Sequence, residues 1–170
     1  AKRSLPALRR LVVESARQLE SDADTSWLWK GLHAKLVDGF TFTLPDTPDN
    51  QAAFPQLASQ TPGVGFPIAR CCTVVSLATA CVCDLAIGPY EGKETGENAL
   101  LRGMMDTFDQ HDVVVFDRYY CSYMMLAILL SGGAQVCARL HQGRPSAFRR
   151  LFLIVRAGFF LVCHGGRYHS

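Results

Sequence analysis

Asp112-Val-Val-Val-Phe-Asp117 is an unbroken apolar run closed at both ends by an acid, the pattern of a strand covered on both faces of a sheet. The segments around it give that strand its neighbours. On the N-terminal side, Leu100, Leu101, Met104, Met105 and Phe108 recur on one helical face, so a helix is expected from Glu97 to Phe108, with Glu97 at the positive end of its dipole. Before it stand two β-prone runs, Ala69 to Thr79 and Ala80 to Ile87, expected to pair as an antiparallel hairpin closing at Gly88-Pro89-Tyr90. Earlier still, Lys35-Leu-Val-Asp-Gly-Phe-Thr-Phe-Thr-Leu44 has the β-branched and aromatic content of a first strand. On the C-terminal side, Ser122 to Leu130 reads as a short helix stopped by Gly132-Gly133, and Ala134 to Leu140 as a last strand.

The resulting order, βββαβαβ, implies an α/β fold: a mixed sheet, antiparallel on one side and parallel on the other, with flanking helices. That order is the ribonuclease-H-like arrangement, here expected to be incomplete at the C-terminus. Residues 5 to 20 carry apolar residues at helical spacing and form an N-terminal amphipathic helix, broken by Ser21 to Thr25. Residues 45 to 67 hold five prolines with Gly63 and Gly65, which is read as a long ordered loop without helix. Three segments follow: residues 1–26, an N-terminal helical segment; 27–142, the partial core; and 143–170, a divergent basic and apolar tail.

A composition of 49% hydrophobic and 19% charged residues excludes a disordered chain. The net charge of +2 hides an asymmetry: Ala1 to Asp117 holds ten Lys or Arg against all fifteen acids, whereas Arg118 to Ser170 holds seven Arg and no acid. An acid-free, Arg-bearing stretch suits phosphate contacts, and equally suits a solvated surface. The seven cysteines lie mostly inside apolar runs and read as reduced thiols of a cytoplasmic protein; Cys71-Cys72 with Cys81 and Cys83 matches no common zinc spacing. The late apolar run from Leu151 to Cys163, broken by Arg156, falls short of the ~20 residues of a membrane span, so no membrane association is expected.

Sheet order makes two of the acids a pair. If the first and fourth strands are neighbours, Asp38, inside one, and Asp117, at the end of the other, come together. Two rigidly held carboxylates are the minimum for binding Mg²⁺ or Mn²⁺ while leaving positions open for phosphate oxygens and water. Taken singly, Asp38 equally reads as a strand-end or turn residue before Gly39, and Asp117 as an acid capping the next helix or pairing with Arg118. Because Asp38 shares a strand face with Leu36, Phe40 and Phe42, it is expected to be buried and to need a partner: a metal, a lysine or a backbone amide. The paired methionines at 104–105 and 124–125 are expected in the core, and the five histidines show no metal spacing.

Several longer strings go beyond topology. Lys35-Leu-Val-Asp-Gly39, Leu44-Pro-Asp-Thr-Pro-Asp-Asn-Gln-Ala-Ala-Phe-Pro55, Gly65-Phe-Pro-Ile-Ala-Arg70, Gly88-Pro-Tyr-Glu-Gly-Lys-Glu-Thr-Gly-Glu97, Asp117-Arg-Tyr-Tyr-Cys-Ser122 and Arg139-Leu-His-Gln142 occur in this order. Together they resemble bacterial insertion-sequence DDE transposases of the insertion-sequence-4 type, over about Trp27 to Gln142. The resemblance implies a ribonuclease-H-like catalytic core in which Asp38 and Asp117 are catalytic and bind Mg²⁺ (or Mn²⁺), with a downstream Glu completing the triad. It implies DNA partners, the insertion-sequence ends and the target, with Arg118 and Tyr119 flanking the metal site and Lys93 and Arg70 as further phosphate contacts. No Asp or Glu follows Asp117, and from near Gly143 the chain departs from the family pattern. The expectation is that a frameshift or truncation replaced the rest, leaving a chain inactive alone. The alternatives are a non-catalytic fragment that binds DNA, full-length transposase or itself, and a degenerate product without function.

Overall fold

A computed structural model describes residues 5–138 and 160–162 of the chain. Three antiparallel strands come first: β1 (His33–Thr43), β2 (Ile68–Ser76) and β3 (Val82–Pro89). Two parallel additions follow on the other side of β1: β4 (Asp112–Phe116) and β5 (Gln135–Ala138). The order β3-β2-β1-β4-β5, with these directions, is the expected ribonuclease-H-like mixed sheet. A sixth strand, β6 (Phe160–Val162), lies parallel to β5 with Val136 opposite Phe160. No strand was expected there from the sequence; an apolar, aromatic run beside an open sheet edge supplies both the propensity and the backbone partners.

One face of the sheet carries the core. Lys35, Val37 and Gly39 alternate with Leu36, Asp38 and Phe40 along β1, and the first set shares its side with Cys72, Val74, Val114, Phe116 and Val136. Packed onto that side are α3 (Glu97–Arg102), through Leu101, and α4 (Tyr123–Ser131), through Met125, Leu126 and Leu129. Met104 and Met125 are buried there, as expected, but Met124 is 62% exposed, because α4 turns Met125, Leu126 and Leu129 inward and leaves Met124 on its outer face.

Two helix expectations need correction. The proline-rich connection contains a short helix, α2 (Pro48–Ala53): Thr47 accepts a hydrogen bond from the Asn50 amide, and Pro48 stands in the first turn, where its missing N–H costs nothing. The helix expected over Glu97–Phe108 ends at Arg102 and is followed by a 3₁₀ turn, Met105–Thr107, since Gly103 favours termination.

The N-terminal helix α1 (Leu5–Ser21) is tied to the sheet by charge as well as by the buried Ala16. Arg9 donates from Nε to Asp84 Oδ1 (2.7 Å) and from Nη2 to Oδ2 (2.6 Å), and Thr107 also donates to Oδ2 (2.9 Å). Burial alone would raise the Asp84 carboxyl, but the Arg9, Thr107 and Leu85 hydrogen bonds outweigh it and hold the pKa below its ordinary value. A depressed folded-state pKa stabilises above the unfolded value of 3.8 and is lost as pH falls through the folded one. Arg9→Gln should therefore destabilise the fold by about 2 kcal/mol near neutrality, and the difference from wild type should shrink in urea titrations at about pH 3. An equal deficit at both pH values would refute the tie.

Candidate functional site

The site begins with the register between two parallel strands. Val37 lies opposite Phe116; Asp38 follows Val37 within β1, and Asp117 follows Phe116 just past the end of β4. In-register parallel strands run about 4.8 Å apart and point equivalent side chains to the same face. The register therefore brings Asp38, on β1, next to Asp117, the first residue past β4; Asp38 lies on the face away from the core, and both residues are exposed.

Their surroundings differ from expectation in one respect. Asp38 is exposed, not buried, and Phe40 on the same strand face is itself 52% exposed. Its desolvation cost therefore does not arise, and its partner is a backbone amide: Gly39 N donates to Oδ1 at 2.8 Å. Asp117 is likewise exposed and accepts from Tyr119 N at 2.8 Å, a local turn contact. It does not cap α4; Ser122 does, accepting from the Met125 amide. Among the described residues neither aspartate forms an ion pair with Lys, Arg or His.

Each carboxylate thus keeps lone pairs towards solvent, a hard-oxygen donor set that fits Mg²⁺ or Mn²⁺ held by few protein ligands. Among the described residues no three His, Cys, Asp or Glu side chains converge into a closed metal cage. An open two-carboxylate site is what the geometry offers.

The expected DNA-contacting residues divide. Arg118 and Tyr119 follow Asp117 directly and are both exposed, with the Tyr119 ring edge-on to Tyr120 at 5.5 Å. Lys93 is exposed in the loop between β3 and α3. Arg70 is engaged within the protein: its guanidinium lies 4.5 Å from the Tyr90 ring centroid, and Nη1 donates to Thr95 O at 3.3 Å. It braces the loop leading into α3, a role that leaves less of it for a ligand.

Sequence reasoning missed the residues beneath the pair. On the core-facing side, Glu97 presses its carboxylate against Gly39, so that a β-carbon at Gly39 would lie 2.6 Å from Glu97 Oε2. Tyr120, 1% exposed, donates its hydroxyl to the same Oε2 at 3.0 Å and lies 3.8 Å from Cys72 Sγ. Burial pushes the Cys72 thiol up to about 12, so it stays protonated and inert. The available signal was the glycine inside a strand directly after Asp38, which marks close approach by another group.

Comparisons with known proteins point to one kind of relative. InsZ of Escherichia coli strain K12, named as a presumptive transposase, is 24% identical over 74% of this chain and 47% of its own length. The transposase InsG for insertion sequence element IS4, from the same organism, is 27% identical over 71% of this chain and 26% of its own length. The chain is therefore similar to bacterial insertion-sequence transposases, IS4's among them, as its strings implied, and spans about half of one relative and a quarter of the other. No family model and no solved structure matches it.

Proposed function

We propose that this chain, similar as it is to insertion-sequence transposases, is part of a transposase catalytic core that acts on DNA, with Asp38 and Asp117 as a shared metal-holding pair. The observation carrying this reading is the pairing of Val37 with Phe116, because each of these residues is followed directly by an exposed aspartate. In it, Asp38 is carried by the central strand β1 and Asp117 by the residue just past the end of neighbouring β4. Arg118 and Tyr119, one and two residues past Asp117, approach the phosphate from outside the pair, and Lys93 adds positive charge at the rim. Mg²⁺ or Mn²⁺ bound there supplies charge neutralisation and activation of the attacking oxygen during phosphodiester cleavage and strand transfer.

Residues 118–170 contain no acid, so a third carboxylate would have to come from elsewhere, and these residues alone are catalytically incomplete in this reading. The same acid-free, arginine-bearing stretch favours one second reading, a non-catalytic fragment that binds DNA or full-length transposase.

A gel-shift titration on duplex DNA at several salt concentrations, with and without Mg²⁺, tests the proposal. Binding should weaken with salt, strengthen with Mg²⁺, and lose the Mg²⁺ response in Asp38→Ala and Asp117→Ala; Arg118→Ala should flatten the salt slope by about one. Binding that loses its salt dependence or never responds to Mg²⁺ contradicts the metal-holding reading. A salt-dependent but Mg²⁺-independent shift favours the second reading.

A further inference from the structure

Two segments carry the aspartates, and one carboxylate touches both. Gly39, the residue after Asp38, has Glu97 packed against its Cα so closely that a methyl group there would come within 2.7 Å of Glu97 Cγ and 2.6 Å of Oε2. Tyr120, three residues after Asp117, donates to that same Oε2 at 3.0 Å. The tie is held from three sides. Glu97 is the first residue of α3, whose Leu101 is fully buried. Asn98, next in the helix, donates to Tyr119 O at 3.4 Å. The Tyr120 ring is locked by Phe116, 6.1 Å away between centroids, and by Cys72 beneath it.

We infer that Glu97, with Tyr120, is a positioning pair for the Asp38–Asp117 site: the Glu97 carboxylate spans from the backbone of β1 to the segment leaving β4 and sets the separation of the two aspartates. This rests on the reading of Asp38 and Asp117 as a metal-holding pair. The physical reason for needing such a tie is the end of the β1–β4 ladder. Backbone pairing stops at Val37 and Phe116, one residue short of either aspartate, so ladder hydrogen bonds do not fix the spacing where it matters. A side-chain hydrogen bond beneath the pair does so in their place. Glu97 acts here through shape and an accepted hydrogen bond, not through contact with the metal, since it lies on the face opposite Asp38.

The test is the Mn²⁺ concentration at half-saturation of the whole chain, read from loss of the free-ion electron paramagnetic resonance signal, with melting temperature measured alongside. Tyr120→Phe and Glu97→Ala should raise the midpoint by about tenfold, as expected for groups that orient metal ligands. Glu97→Gln, which keeps the accepting oxygen and the bulk, should stay within about twofold of wild type. Gly39→Ala should behave like Glu97→Ala because the added methyl evicts the carboxylate.

A merely structural Glu97 would lower the melting temperature of Glu97→Ala and leave the midpoint unmoved, which overturns the inference. Equal loss in Glu97→Gln and Glu97→Ala also overturns it, because charge and not the hydrogen bond would then matter. Asp38→Ala is run in parallel: if it leaves the midpoint unchanged, the metal-holding reading itself has failed. If Asp38→Ala abolishes binding while Tyr120→Phe does nothing, only the positioning role is lost.

Discussion

Lys35→Met is expected to cost about 3 kcal/mol of unfolding free energy, a large share of what holds a domain of this size together. Lys35 is 6% exposed and enters β1 at the end away from Asp38. Its Nζ donates to Thr107 O (2.8 Å) and Asp112 Oδ2 (3.0 Å) and lies 3.3 Å from Glu20 Oε2. One ammonium therefore joins α1, β1, β4 and the 3₁₀ turn. Burial raises the Asp112 carboxyl above its ordinary value in spite of Lys35, while for Lys35 burial alone would lower the pKa but Asp112 and Glu20 outweigh it. Methionine removes the charge, keeps the stem, and strands two carboxylates away from water. The folded-state pKa of Asp112 then rises further, and a raised carboxyl pKa favours the folded state at low pH. The loss should accordingly be smaller at about pH 5 than at about pH 8 in guanidinium titrations. A deficit under about 0.5 kcal/mol, or one that grows as pH falls, would refute this account of the buried ion cluster.

Neutralising either exposed aspartate should do the opposite to stability. Asp38 lies on β1 and Asp117 just past the end of adjacent β4, each directly after a register pair, with no cation paired to them among the described residues. Like charges side by side on a sheet repel by several tenths of a kcal/mol. Asp117→Asn or Asp38→Asn should thus leave the metal-free protein equally stable or more stable by about 0.5 kcal/mol, and weaken Mn²⁺ binding by tenfold or more, about 1.4 kcal/mol of binding free energy. Opposed effects on stability and binding are the signature of groups placed for a ligand and not for the fold. A substitution that lowers stability and binding together would mark the aspartates as structural.

Much of the fold was legible because its informative residues are local. The apolar run at Val113–Phe116 and the β-branched run of β1 each announce a strand, and their order places them side by side without any coordinate. Proline density misled at residues 48–53, where a single proline in the first turn starts a helix instead of preventing it. Amphipathic spacing misled across Gly103, where periodicity continued while the helix did not. Of the site, the pairing of the strands that lead into Asp38 and Asp117 followed from topology, but the assumption that Asp38 is buried failed because alternation along a strand says nothing about what covers the far face. The Glu97–Tyr120 bond was out of reach, since the two residues are far apart in sequence and meet only once α3 and the segment after β4 pack on the same side of the sheet.

The measurement that bears most directly on the central claim is a double-mutant cycle for Mn²⁺ binding to the whole chain with Asp38→Asn, Asp117→Asn and both together. Because one site is shared, either single substitution should remove nearly all the affinity, and the double variant should bind no worse than the weaker single one. Losses that simply add, or wild-type binding in either single variant, would contradict a shared site.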